Sequence, residues 1–152
     1  MPRMLLEPAW SVRGGKISLG RPVVLGILNL TPDSFSDGGL VRDEARALEL
    51  ARSMTEAGAD LIDVGGESTR PGARPVQAEE EWSRIGRTVA ALSEAGIPVS
   101  VDTTKSSVAA RALDAGAVAI NDISGLRFDP GLASLCAETG AGLIIMHMRG
   151  DP

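Results

Sequence analysis

Residues 97–122, IPVSVDTTKSSVAARALDAGAVAIND, decide the fold of this chain. The segment contains two short apolar runs, Val99–Val101 and Val118–Ile120. Between them, apolar residues recur on one face of a helix, at Val108, Ala112 and Ala115. Gly116 follows the helical pattern, and a glycine there permits the left-handed residue that ends a helix before a short turn. The segment therefore predicts a strand, a helix and a second strand.

The same pattern recurs along the chain. Further apolar runs lie at Val23–Leu28, Leu61–Val64 and Leu143–Met146. Helical patterns separate the runs at 47–54 and 82–92, and a fourth helix is predicted to begin with Asp129 as N-cap and Pro130 in its first turn. The predicted helices end at Gly58, Gly96, Gly116 and Gly140. Because continuous apolar runs are typical of strands buried on both faces, the sequence predicts an α/β fold of four β-α units and a fifth parallel strand.

Two α/β architectures fit this alternation, a parallel (β/α)8 TIM-type barrel and a doubly wound open sheet. No GxGxxG or P-loop pattern follows the first strand, although the open-sheet class often uses one to bind phosphate. Polar residues follow every strand, which is where a barrel carries its chemistry. We therefore predict a single incomplete barrel domain over residues 1–152. Residues 8–20 would form a small β-hairpin at the bottom of the barrel, and residues 22–152 the first five strands and four helices.

Composition excludes several classes of protein. The chain has 15 basic and 20 acidic residues, and the basic ones are scattered, which argues against a nucleic-acid or membrane surface. Glu79–Glu81 is predicted to be the solvated first turn of a helix. No apolar run has the length of a membrane span and the amino terminus does not resemble a signal peptide, so we predict a cytoplasmic protein. The single cysteine, Cys136, excludes an internal disulfide and a thiolate metal cluster, and its apolar stripe predicts burial.

Polar side chains at the strand ends are the candidate site residues. Asp102 ends an apolar strand, where a carboxylate indicates a functional site, although it could instead cap the helix that starts near Ser106. Asn29 and Asn121 end two other strands, and could either contact a ligand or satisfy backbone groups. The segments after the first two strands are long and rich in Gly and Pro, which predicts two lids over a site.

Five segments, in order along the chain, resemble the signatures of the dihydropteroate synthase family. They are GILNLTPDSFSDGG at 26–39, DVGGESTRPGA at 63–73, SVDTTK at 100–105, INDISG at 120–125 and MHM at 146–148. The resemblance covers nearly the whole chain from Val23 onward. It implies that p-aminobenzoate displaces pyrophosphate from 6-hydroxymethyl-7,8-dihydropterin pyrophosphate, giving 7,8-dihydropteroate in folate biosynthesis. It also implies that the p-aminobenzoate site is a target of sulfonamides.

The resemblance implies a pterin pocket built from the last three strands. Asp102 and Asn121 would hydrogen-bond the pterin, and the carboxylate would stabilise positive charge that develops as the carbon–oxygen bond breaks. Ile123 and Met146 would form apolar walls for the ring.

The resemblance also implies a role for each of the two loops and for a metal ion. Asp33 and Arg70 would close over the site and act in catalysis with Asp102. Thr69 would contact substrate, and Phe35 and Pro71 would bracket the ring of p-aminobenzoate. The amide oxygen of Asn29 would bind Mg²⁺ together with the pyrophosphate, because Mg²⁺ commonly uses few protein oxygens besides those of a phosphate. Exclusion of water by the loops would protect a cationic pterin.

The family pattern extends beyond what this chain supplies. Members of the family continue through three further β-α units, which contribute another pterin-binding aspartate, a lysine, and an arginine and histidine for the pyrophosphate. We therefore expect a partial chain that is inactive by itself, within a full-length homodimer. Two alternatives remain: the pterin-binding domain of a cobalamin-dependent methyltransferase, or a non-catalytic barrel fragment. The loop residues that would seat an aromatic amine argue against the methyltransferase.

Overall fold

The computed structural model of the protein describes residues 7–31, 40–68 and 74–147. Its strands are β1 (Ala9–Val12), β2 (Gly15–Ser18), β3 (Leu25–Asn29), β4 (Leu61–Gly65), β5 (Val99–Asp102), β6 (Ala119–Asp122) and β7 (Gly142–Ile145). Its helices are α1 (Leu40–Glu56), α2 (Ala78–Glu94), α3 (Ser106–Asp114) and α4 (Gly131–Thr139). None of these helices combines the length and apolarity that a membrane crossing requires.

The main sheet has five parallel strands in the order β3-β4-β5-β6-β7, so strands that are consecutive in the chain are neighbours in space. A doubly wound sheet reverses its strand order at a switch point, and this sheet does not. An uninterrupted βα order is that of a barrel, and the predicted α/β barrel fold is confirmed for its first five strands and four helices.

The hydrophobic core lies between the outer face of the sheet and the helices. On β4 and β5 every second residue faces outward and is fully buried, at Ile62, Val64, Val99 and Val101. Helix residues at a spacing of three or four pack against this face, at Ile85, Val89 and Leu92 of α2. Cys136 of α4 is buried in the same core, as the sequence predicts, and burial raises the pKa of its thiol.

The inner face of the sheet carries two rows of residues that run across all five strands. Parallel register aligns the upper row as Asn29, Gly65, Asp102, Asn121 and Ile144. The row below consists of Ile27, Asp63, Ser100, Ala119 and Gly142. The upper row holds the last or the last but one residue of each strand, so its polar members lie at the carboxyl edge of the sheet, where barrel enzymes place their sites.

The predicted hairpin is present, and β1 and β2 pair antiparallel. It packs under the amino ends of the last two strands. The backbone N–H of Arg13 donates to the carbonyl of Val118 at 3.0 Å, and the Arg13 guanidinium donates to the carbonyl of Leu113. A Cβ added to Gly142 would lie 2.6 Å from the Trp10 ring, so the missing side chain lets the hairpin dock. The hairpin therefore lies at the end of the sheet opposite the carboxyl edge.

The predicted helix ends are also found. Gly58, Gly96, Gly116 and Gly140 all have positive φ, between 69° and 109°. The start of α4 differs by one residue from the prediction, because Pro130 occupies the N-cap position and the helix begins at Gly131.

Asp129 performs more than the expected cap. One of its oxygens accepts the N–H of Gly131 at 3.0 Å, and the other accepts the N–H of Ser106 at 2.7 Å. These hydrogen bonds lower the pKa of Asp129. One carboxylate thus serves the amino ends of two adjacent helices.

Candidate active site

Three predicted site residues lie in one row at the carboxyl edge of the sheet: Asn29, Asp102 and Asn121. Gly65 separates the first two. A Cβ at Gly65 would lie 3.3 Å from Oδ1 of Asn29 and 3.6 Å from Cβ of Asp102. Because Gly65 has no side chain, the amide of Asn29 and the carboxylate of Asp102 border the same small space.

Asp102 is the most strongly perturbed acid of the site. Burial, together with the nearby carboxylates of Asp63, Glu81, Asp122 and Glu67, raises its pKa to about 7. The group therefore exchanges its proton near neutral pH and can either accept or donate a hydrogen bond. The alternative that it caps α3 at Ser106 is wrong, since that N–H is bonded to Asp129.

Asn121 is anchored by a residue of the lower row. Its Nδ2 donates to Oδ2 of Asp63 at 2.9 Å, and Asp63 is only 6% exposed. Within the described ranges the second oxygen of Asp63 has no hydrogen-bond partner. Because Nδ2 is directed to Asp63, the Oδ1 of Asn121 is available to accept a hydrogen bond from a ligand. The sequence signal for this contact is a carboxylate inside the apolar run LIDVG.

The two predicted wall residues lie at the same edge. Ile123 is half-buried in the turn that follows β6, and Met146 is 39% exposed just after β7. The carboxylate of Asp122 accepts the N–H groups of Ser124 and Leu126 at 2.8 and 2.6 Å. The carbonyl of Asp122 also accepts the N–H of Met146 at 3.1 Å. Asp122 thus fixes the backbone next to both wall residues.

An ion cluster beside the row was not predicted. Lys105 is the N-cap residue of α3, and its Nζ donates to Glu67 at 2.5 Å and to Glu81 at 2.7 Å. Glu81 is fully buried, so the prediction that Glu79–Glu81 is a solvated turn is wrong for its last residue. The reason is tertiary: Glu81 faces the sheet on the inner side of α2, where Lys105 offsets its charge.

The remaining predicted site residues belong to the two loops. Asp33, Phe35, Thr69, Arg70 and Pro71 lie outside the described residues. The ends of both loops are described, and both leave strands of the polar edge.

The fold and the site together define an α/β barrel protein of the enzyme type, with a perturbed carboxylic acid and two amides at the carboxyl edge of its sheet. The family model of pterin binding enzymes matches residues 25–152, which is most of the chain and includes every strand of the main sheet. The chain belongs to the pterin-binding enzyme family.

Individual relatives agree with the family. A dihydropteroate synthase of Synechocystis sp. is 49% identical over 133 residues, which cover 87% of this chain and 46% of that protein. The structure of Xanthomonas albilineans dihydropteroate synthase with 4-aminobenzoic acid is 44% identical, with a TM-score of 0.86 over 96% of this chain and 54% of that one. The Burkholderia cenocepacia dihydropteroate synthase complexed with 7,8-dihydropteroate is 42% identical, with a TM-score of 0.80 over 98% and 49%. The chain thus spans about half the length of these three relatives.

Proposed function

We propose that this chain forms the pterin-binding part of a dihydropteroate synthase. The whole protein would condense p-aminobenzoate with 6-hydroxymethyl-7,8-dihydropterin pyrophosphate to give 7,8-dihydropteroate and pyrophosphate in folate biosynthesis, acting as a cytoplasmic homodimer. The observation that carries the proposal is the row of Asn29, Asp102 and Asn121, with Asp102 at a pKa of about 7. The Xanthomonas and Burkholderia structures, with their bound aromatic amine and dihydropteroate, support it.

The pterin chemistry falls to the residues of β5, β6 and β7. A pterin presents ring N–H and amino groups that need acceptors, and Asp102 and the Oδ1 of Asn121 supply them side by side. As pyrophosphate leaves, the methylene carbon becomes electron-poor, and an ionised Asp102 stabilises that charge in a partly buried site. Ile123 and Met146 contribute apolar surface beside the ring.

The two loops would seat the second substrate. Asp33 and Arg70 would close over the reacting groups, and Thr69 would contact substrate. Phe35 and Pro71 would hold the ring of p-aminobenzoate, which is the position a sulfonamide would take. Water excluded by the loops could not compete with the amine for the electron-poor carbon.

Asn29 suits a magnesium ion that is shared with the pyrophosphate. Its amide oxygen is a hard ligand at an exposed strand end, next to the space left by Gly65. Among the described residues no cluster of three or more His, Cys, Asp or Glu side chains could hold a metal. Mg²⁺ fits this donor set because it binds through one or two protein oxygens and substrate phosphates, and when bound it would neutralise charge on the leaving group.

The experiment that tests the proposal follows pyrophosphate release by the full-length protein. We expect release from the pterin pyrophosphate only when p-aminobenzoate is present, with dihydropteroate as product. Asp102→Asn should abolish pterin binding, whereas Phe35→Leu should mainly weaken p-aminobenzoate and sulfonamides. Methyl transfer from a methylated folate, without amine-dependent pyrophosphate release, would instead identify a cobalamin-dependent methyltransferase. Equal effects of the two substitutions on both substrates would refute this division of the pocket.

A further inference from the structure

The base of the loop between β4 and α2 is held together by side chains. This loop, residues 66–77, is described at both ends, at 66–68 and 74–77. Glu67 stands at its start, and one carboxylate oxygen of Glu67 accepts the N–H of Val76 near its finish at 3.3 Å. Arg84 of α2 donates to the carbonyl of Gly66 at 2.7 Å. The two ends of the loop are therefore tied to each other and to the helix that follows.

The other oxygen of Glu67 ties the loop to the amino end of α3. It accepts from Lys105 at 2.5 Å, and the same ammonium group donates to Glu81 at 2.7 Å. Glu81 is fully buried, and its second oxygen has no partner among the described residues. Because a buried carboxylate needs a cation, Lys105 is held in place by Glu81 and in turn fixes the position of Glu67.

Lys105 follows Asp102 by three residues in the segment that leads from β5 into α3. The cluster of Glu67, Lys105 and Glu81 therefore connects the start of the β4–α2 loop to the strand that carries the perturbed acid. Neither Glu67 nor Lys105 is among the residues proposed to contact the pterin.

We propose that Glu67 is a positioning residue for the aromatic amine substrate. It sets the place and direction in which the β4–α2 loop leaves the sheet, and that loop carries Thr69, Arg70 and Pro71. Lys105 holds Glu67 in the conformation that reaches Val76. This inference rests on the proposed function, and it assigns to Glu67 an effect on the amine rather than on the pterin.

Two variants of the full-length enzyme separate the contacts of Glu67. Glu67→Gln keeps an oxygen for the N–H of Val76 but loses the ion pair, whereas Glu67→Ala loses both contacts. We expect Glu67→Ala to raise the KM for p-aminobenzoate about tenfold, the effect of one lost hydrogen bond, while the KM for the pterin pyrophosphate stays within about twofold. Glu67→Gln should give an intermediate increase. Glu79→Gln is the matched control, since it removes an exposed ion pair of the same helix, with Arg111, and leaves the contacts of the loop base in place.

Hydrogen exchange of the Val76 amide provides a readout that does not depend on activity. We expect this amide to exchange about tenfold faster in Glu67→Ala, by an intermediate factor in Glu67→Gln, which loses the ion pair that holds the side chain in place, and close to the parent rate in Glu79→Gln. Unchanged exchange at Val76, or a KM increase that is equal for both substrates, would overturn the positioning role. A parent enzyme that makes no dihydropteroate would refute the proposed function and with it the role toward the amine, while the exchange rates would still show whether Glu67 holds the loop.

Discussion

Ionised Asp102 destabilises the fold, and replacing it by asparagine should therefore stabilise the protein above neutral pH. The side chain is partly buried at the end of β5 with four other acids nearby, which raises its pKa from 3.8 to about 7. None of the described residues donates a hydrogen bond to its carboxylate, so within the described part of the chain no donor compensates the charged form.

The size and sign of the effect follow from proton linkage. The folded state binds this proton more tightly than the unfolded state does, so the contribution of Asp102 to the free energy of unfolding falls as pH rises from about 4 to about 7 and is constant beyond. Each pH unit of displacement corresponds to about 1.4 kcal/mol, which gives an upper bound of about 4 kcal/mol at pH 8. Because solvent reaches part of the side chain, we expect about 2–4 kcal/mol.

Urea unfolding of parent and Asp102→Asn proteins at a series of pH values measures the effect. The two tryptophans, Trp10 and Trp82, report unfolding by fluorescence. At pH 4.5 the two proteins should have similar free energies of unfolding, and at pH 8 the variant should be the more stable one. Asp114→Asn is the matched control, because Asp114 is an exposed aspartate on α3 and its removal should leave the parent's pH profile unchanged.

Parallel pH profiles for parent and Asp102→Asn would refute the reasoning. They would mean that Asp102 has nearly the same affinity for its proton in the folded and unfolded states. A variant that is less stable than the parent at pH 8 would show instead that the carboxylate has a stabilising partner.

Three further perturbations test other parts of the structure. Lys105→Met should destabilise the protein by about 3–5 kcal/mol in chemical unfolding, because it leaves the buried Glu81 without its cation. A loss below about 1 kcal/mol would mean that the contact between Lys105 and Glu81 does not stabilise the fold. Asp129→Ala should lower the free energy of unfolding by about 1–3 kcal/mol, because it leaves the amino ends of α3 and α4 without an acceptor. Since the pKa of Asp129 is lowered in the folded protein, its stabilising effect is present above about pH 4 and is lost as pH falls further. Equal free energies of unfolding for variant and parent at pH 7 would contradict this prediction. Gly142→Ala should push Trp10 away and undock the hairpin, which a shift of tryptophan emission detects; an unchanged spectrum and stability would show that the ring does not pack there.

Much of the fold could be predicted from the sequence because its signals are local. Continuous apolar runs and glycine stops depend only on nearby residues, and they gave every strand of the main sheet to within two residues. The local signal also set the start of α4 one residue too early, and it could not reveal that Asp129 binds the amino end of α3, a partner 23 residues away in the chain.

The site could be predicted only in part, because several of its contacts join residues that are far apart in the chain. Residues at strand ends are brought together by parallel register, so Asn29, Asp102 and Asn121 could be assigned to one edge before the structure was known. The bond between Asp63 and Asn121 joins two strands that are not neighbours in the sheet. The carboxylate inside the run LIDVG marks Asp63 in the sequence, but no spacing identifies Asn121 as its partner. The burial of Glu81 depends on which turn of α2 faces the sheet and on Lys105, and a run of three glutamates alone indicates solvent.

Five acids lie at or beside the carboxyl edge of the sheet, and the hydrogen-bond donors that each one has indicate where a ligand binds. Asp63 accepts from an amide side chain on β6, and Asp122 accepts from two backbone N–H groups of its own turn. Glu67 and Glu81 share a lysine. Among these five acids of the described residues, only Asp102 has no donor for its carboxylate, and its pKa is raised to about 7. A ligand that brings N–H groups to Asp102 supplies the missing donors, and its binding would favour the ionised form that the free protein holds least readily.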